Sequence, residues 1–177
     1  MPMTGAAMTA PSVRGNVLAR DTVEVVKART LRVGLGETMI STARTEWSGD
    51  LMSGKGTTPL ASGVASFAVN WKARSEGADA TTTPEELLAA AHASCFSMAL
   101  SNGLASAGTP PTTLTTDVRV TFKPGEGITG IELAVTGSVP GIDQDAFTAA
   151  ATDAKQNCPV SAALRAVPIA LVESTLV

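Results

Sequence analysis

The chain has no tyrosine, only four phenylalanines and two tryptophans, a single histidine and two cysteines. With so few aromatics, the core has to be assembled from Ala, Val, Leu and Ile, and a hydrophobic share of 44% makes it a sizeable one. Two thiols and one imidazole are a poor zinc set. The absence of a C-x-x-C spacing excludes the thioredoxin-type motif. Charged residues are scarce as well, at 16% against the usual quarter or so. A net charge of −3 gives no global attraction to nucleic acid or to an anionic membrane. No apolar run approaches the length needed to span a bilayer, and the N-terminus lacks the apolar core of a secretory signal. A single domain in the cytoplasm is therefore expected, where two cysteines are redox-active or inert rather than a structural staple. Lys55 lies in a glycine-flanked turn without the Walker spacing, so a phosphate loop is not indicated.

What charge there is falls unevenly. Arg14, Arg20, Lys27, Arg29 and Arg32 against Asp21 and Glu24 give residues 1–36 a balance of +3, leaving −6 for the rest. This stretch is expected to be an N-terminal extension, loose over residues 1–20 with a short helix or strand over 21–34. It packs on its own domain or a sister chain, or stays a solvated tail. A second region, residues 37–177, carries the sharper signals. Strands are expected over Met39–Trp47 and Val64–Trp71, with a turn at Ser53-Gly54-Lys55-Gly56 and a polar loop over 73–82. Thr83-Pro84-Glu85-Glu86 has the form of a capping box with proline at the first helical position. It opens a helix running towards Gly108, with no formally charged side chain between Leu87 and Leu100. A helix apolar nearly all round belongs inside a protein. Alternation over Leu114–Phe122 and through Ile131, Leu133 and Val135 gives two strands joined by a turn at Pro124–Gly127. A helix over Asp143–Asn157, a short one from Cys158-Pro159 through Leu164 and a strand over Val167–Val172 complete the order. The class expected is α+β, with antiparallel sheets wrapped around a central apolar helix.

A cysteine nucleophile works as the thiolate, and a free thiol ionises near pH 8.5. Cys95 lies roughly 18 Å along the helix from Thr83, far beyond the first turn where the helix dipole acts. Burial there would raise its pKa, so a cation would have to come from elsewhere, and Arg74 in the preceding loop is the candidate. Taken alone, a mid-helix cysteine reads as a packing residue. Cys158, followed by Pro159, sits at a helix N-cap, where exposed N–H groups favour a thiolate; its other reading is a small capping residue. His92 shares a helix face with Cys95 and either influences the thiol or is a hydrogen-bonded packing residue.

The run Thr83-Pro84-Glu85-Glu86-Leu87-Leu88, continued by Ala90-Ala91-His92-Ala93-Ser94-Cys95-Phe96-Ser97-Met98, resembles the OsmC/Ohr family of osmotically induced and organic-hydroperoxide-resistance proteins. Val139-Pro140-Gly141-Ile142-Asp143 and Asn157-Cys158-Pro159-Val160-Ser161 are similar to the same family, as are Trp47-Ser48-Gly49-Asp50 and Arg74 with Glu76-Gly77. His92 and Cys-Pro-Val-Ser are closer to its OsmC branch. The resemblance implies an intertwined homodimer that reduces organic hydroperoxides, and hydrogen peroxide less well, with an external, lipoyl-type dithiol and no metal, haem or flavin. By position it implies Cys95 as peroxidatic cysteine, Cys158 as resolving cysteine, Arg74 as the residue stabilising the thiolate and Glu85 as the residue orienting Arg74. Ser75 stands where the family's arginine is followed by an aromatic, and residues 1–36 have no counterpart. Glu85 and Cys95 lie about 15 Å apart along one helix, so a glutamate from the partner chain is expected to serve the arginine at Cys95. The same cysteine pair also suits a redox sensor or thiol–disulfide oxidoreductase, which slow, non-repeating oxidation would mark.

Overall fold

The computed structural model describes residues 38–77 and 81–177. The N-terminal extension and the short element expected over 21–34 lie outside the described residues. Residues Ile40–Val177 form one compact unit.

Its first layer is a small antiparallel sheet in the order β1 (Glu46–Ser48), β2 (Lys55–Pro59) and β3 (Ser66–Asn70). The turn between β1 and β2 is built by Asp50, whose carboxylate accepts from the N–H groups of Met52 and Ser53 and from the Ser53 hydroxyl. The Ser53 hydroxyl, with these N–H groups, holds the Asp50 carboxyl below its ordinary value. Glycine is required at Gly54, where a Cβ would lie 2.2 Å from the Asp50 carbonyl oxygen and 2.8 Å from the Trp47 ring. The turn thus precedes the one expected, and Lys55 and Gly56 already belong to a strand. The run Lys-Gly-Thr-Thr-Pro has no apolar member to announce it. It is held instead by pairing on both sides, Gly56 facing both Trp47 and Val69.

Beyond β3 the expected loop is in part a helix, α1 (Trp71–Glu76). The Asn70 carboxamide caps it by accepting the Ala73 N–H at 2.7 Å. The long helix α2 (Pro84–Ser106) begins where the sequence placed it, the Glu86 N–H donating to the Thr83 hydroxyl at 3.0 Å. Glu86 does not reach back to the Thr83 backbone; its carboxylate takes the Thr82 hydroxyl.

The second layer is the sheet β4 (Thr113–Lys123), β5 (Gly127–Ser138) and β6 (Ile169–Leu176), in that order. β4 alternates between half-buried and exposed along its length, and β5 buries Ile131, Leu133 and Val135. β4 and β5 pair antiparallel, whereas β6 joins β5 in parallel. A parallel neighbour needs a crossover, and α3 (Gln144–Asn157) and α4 (Pro159–Ala163) supply it. Asp143 caps α3 by accepting the Ala146 N–H at 2.8 Å. Phe147 lies against Gly137, where a Cβ would come within 2.6 Å of its ring.

α2 packs on β4, α3 and α4. The α+β class with a central helix is as expected. The helix buries one stripe, Glu85, His92, Phe96, Leu100 and Leu104, while Met98 on another face is 66% exposed. At 23 residues it is also long and apolar enough to cross a membrane by length and composition, which corrects the expectation that no apolar run approaches that length. Here that length serves the core, filled by Phe96, Leu100 and Leu104 with Leu133, Val135, Phe147 and Cys158.

Candidate active site

Two clusters contain the residues singled out from the sequence. The first lies where α1 meets the start of α2. Arg74 points its guanidinium at Glu85, with Nη2 2.6 Å and Nε 3.0 Å from Oε1. The same guanidinium lies 4.0 Å from the centre of the Phe122 ring, whose edge-to-face partner is Trp71. An arginine held by a fork of hydrogen bonds and an aromatic face keeps one orientation. Glu85 is buried while Arg74 keeps about a third of its side-chain surface, 31%, open. That open side lines a cleft of about 320 Å³ with Trp47, Leu51, Val69, Trp71 and Leu87.

The Arg74–Glu85 pair forms within one chain. The reason is α1, which folds the arginine back onto the first turn of α2. The pair therefore stands roughly 15 Å from Cys95 of its own chain along the helix axis.

The second cluster joins the middle of α2 to α4. Cys95, half-buried, and Cys158, fully buried, are free thiols that pack together, each among the groups that shift the other's ionisation. Burial pushes the Cys95 thiol up; the Val160 N–H opposes this, and the neighbouring Cys158 adds to it. No cation is among the groups that shift it. Burial acts on Cys158 in the same sense, but the Ser161 N–H, the Cys95 thiol, the Ser161 hydroxyl and the Val160 N–H together bring it below the ordinary thiol value. Within one chain Cys158 is thus the more acidic thiol of the pair.

Beside the sulfurs lies a second buried pair that joins the same helices. His92 Nε2 and the Ser161 hydroxyl are 2.8 Å apart, and His92 Nδ1 is buried with no partner. Burial lowers the imidazole's pKa, so it is neutral. His92 is hydrogen-bonded and packed, one of the two readings the sequence left open. Ser161 had no role in the sequence reading; its place three residues after Cys158 at the start of a helix is the signal that could have found it. Among the described residues no three His, Cys, Asp or Glu side chains converge as metal ligands would.

The chain matches the OsmC-like protein family over residues 76–172. It is 44% identical over 124 residues to Peroxiredoxin OsmC of Escherichia coli K12, an overlap that covers 68% of this chain and 86% of that protein. An organic hydroperoxide resistance protein OsmC from Legionella pneumophila shares its fold with a TM-score of 0.61 at 20% identity, over 78% of this chain and 99% of that one. An organic hydroperoxide resistance protein from Elizabethkingia anophelis does so with a TM-score of 0.58 at 25% identity, over 80% of this chain and all of that one, 100%. A match across more than half of the chain, and a relative covered over most of its length, make this protein a member of the OsmC family.

Proposed function

We propose that this protein is a two-cysteine peroxidase that reduces organic hydroperoxides, working as a homodimer in a reducing compartment, the cytoplasm. Membership of a family whose Escherichia coli member is named a peroxiredoxin supports peroxidase chemistry. The observation that carries the two-cysteine form is the meeting of Cys95 and Cys158, from distant parts of the chain, as free thiols packed side by side where α2 meets α4. The Cys95 thiolate attacks the peroxide's outer oxygen, the O–O bond breaks, and the alkoxide leaves as alcohol after taking a proton. The resulting Cys95 sulfenic acid condenses with Cys158 to a disulfide and water. An external dithiol, of lipoyl type, returns both thiols by exchange.

Cys95 needs a cation, and none among the described residues of its own chain is a group that shifts it. Arg74 is already oriented by Glu85 and faces an open, mostly apolar cleft, and the exposed apolar face of α2 calls for a second copy. Both are met if the Arg74–Glu85 unit of one chain stabilises the Cys95 thiolate of its partner, with the cleft taking the organic part of the hydroperoxide.

The test is steady-state consumption of cumene hydroperoxide with dihydrolipoate as reductant. Turnover is expected in the intact protein, with none in Cys95→Ser. In Cys158→Ser the first oxidation should persist as a trappable sulfenic acid. An intact, reduced protein that is oxidised once and not recycled by any dithiol would instead mark a redox sensor.

A further inference from the structure

The mechanism so far leaves unused a fully buried side-chain hydrogen bond. His92 lies on the turn of α2 before Cys95, and Ser161 three residues beyond Cys158, so the His92–Ser161 hydrogen bond runs beside the sulfur pair between the same two helices. The imidazole is fully buried. A core packing role alone would be met by an apolar residue of similar size, without leaving Nδ1 buried and unpaired.

The Ser161 hydroxyl has one proton to give. If it goes to His92 Nε2, the imidazole proton sits on Nδ1, which has no acceptor among the described residues. If His92 donates from Nε2, only a lone pair is left without a partner, and the hydroxyl proton is free to reach the neighbouring sulfur. We propose that His92, as its Nε2–H tautomer, is a positioning residue that holds the Ser161 hydroxyl so that its proton is directed at Cys158. This rests on reading Cys158 as the resolving cysteine. The Ser161 hydroxyl is among the groups that lower Cys158 against its burial. The titratable groups facing Cys158 among the described residues are Cys95 and, across Ser161, His92, both on α2; Lys155 on α3 is directed at the Ile169 carbonyl instead.

The device serves the resolving step. The Cys158 thiolate attacks the Cys95 sulfenic sulfur: the S–S bond forms, the S–O bond breaks, and the departing hydroxide is protonated by solvent to water. The Cys158 sulfur is oxidised and the Cys95 sulfur reduced to the disulfide level, with the sulfenic acid as the only oxidant. Neutral His92 moves no proton in this step; it fixes where the hydroxyl points.

Two measurements do not depend on peroxide at all. The chain has one histidine, so ¹⁵N shifts of the reduced, full-length protein report its tautomer without ambiguity; Nε2–H is expected, and Nδ1–H would overturn the proposal even if every variant folded poorly. In a Cys95→Ser background, thiolate absorbance titrates Cys158 alone. Ser161→Ala is expected to raise its pKa by about one unit, a tenfold loss of thiolate below the pKa. His92→Leu should shift it the same way, and His92→Gln, which keeps a donor near Nε2, should restore it. An unmoved titration in Ser161→Ala sinks the idea.

The third measurement is the rate of disulfide formation after one equivalent of peroxide. A one-unit rise in thiol pKa makes each thiolate about threefold more nucleophilic. Ser161→Ala should therefore be about threefold slower at low pH and about threefold faster where both proteins are fully ionised. A merely structural role would slow the step at every pH. Failure to form sulfenic acid in the intact protein would refute the peroxidase reading, while the tautomer and the titration would still decide the role of His92.

Discussion

If the Arg74–Glu85 unit serves the other chain's cysteine, two inactive chains should repair each other. In its own chain the guanidinium sits roughly 15 Å from Cys95 along α2. At an effective dielectric of about 20, a charge at that distance stabilises a thiolate by about 1 kcal/mol before salt screening, and by about 4 kcal/mol at a contact of about 4 Å. Only the contact is large enough to bring a buried thiol's pKa into the neutral range. Arg74→Met and Cys95→Ser homodimers should accordingly lose at least about tenfold in turnover, the first from loss of thiolate and the second from loss of the nucleophile. A heterodimer of the two, co-expressed with different affinity tags and purified through both, holds one site in which an intact Cys95 meets an intact Arg74. The isologous geometry of a two-fold dimer then predicts about half of the wild-type rate, read as cumene hydroperoxide consumption. A heterodimer as inactive as its parents would refute the shared site, because an arrangement within one chain leaves a defect in each half.

Three further outcomes follow from the same coordinates. Arg74→Met strands a Glu85 carboxylate that is 8% exposed, and urea unfolding should show a loss of about 3 kcal/mol, while Glu85→Gln, which leaves a partly solvated guanidinium, should lose less. Burial holds the folded pKa of His92 below the ordinary imidazole value of 6.5, so as pH falls through that value the unfolded chain takes up a proton that the folded one refuses. Stability should therefore drop below about pH 6.5, and His92→Gln should remove that part of the slope in urea midpoints measured against pH. Gly137→Ala places a Cβ 2.6 Å from the Phe147 ring and 2.9 Å from Leu114, and thermal melts should show about 1–3 kcal/mol of overpacking.

How far the sequence carried depends on whether a signal was local. α2, β4, β5 and α3 were legible because caps and periodicity lie within each segment: Thr83 before Pro84, alternation through Val118 and Val120, Asp143 at the head of α3. β2 was not, since Lys-Gly-Thr-Thr-Pro owes its strand to neighbours on both sides. α1 was missed for a smaller reason, an Asn70 cap ahead of a run too short to show a period. The parallel pairing of β6 with β5 is a property of the crossover rather than of either strand.

The site divides in the same way. Cys95, Cys158, Arg74 and Glu85 are singled out as candidates by the motifs around them. Which chain brings which group to which sulfur is tertiary information. Helix spacing established that Glu85 and Cys95 are too far apart to act on one arginine in one chain. It could not say whether the arginine stays with the glutamate or with the cysteine. The structure gives Arg74 to Glu85 at 2.6 Å, which leaves no cation among the described residues acting on Cys95. The lower pKa of Cys158 relative to Cys95 within one chain is the electrostatic counterpart of that separation: no cation among the described residues shifts Cys95. Bringing an arginine to Cys95 would lower that thiol directly. As a charged Cys95 also disfavours charge on its neighbour, it would raise Cys158 and reverse the order of acidity, the order that attack on peroxide followed by resolution requires.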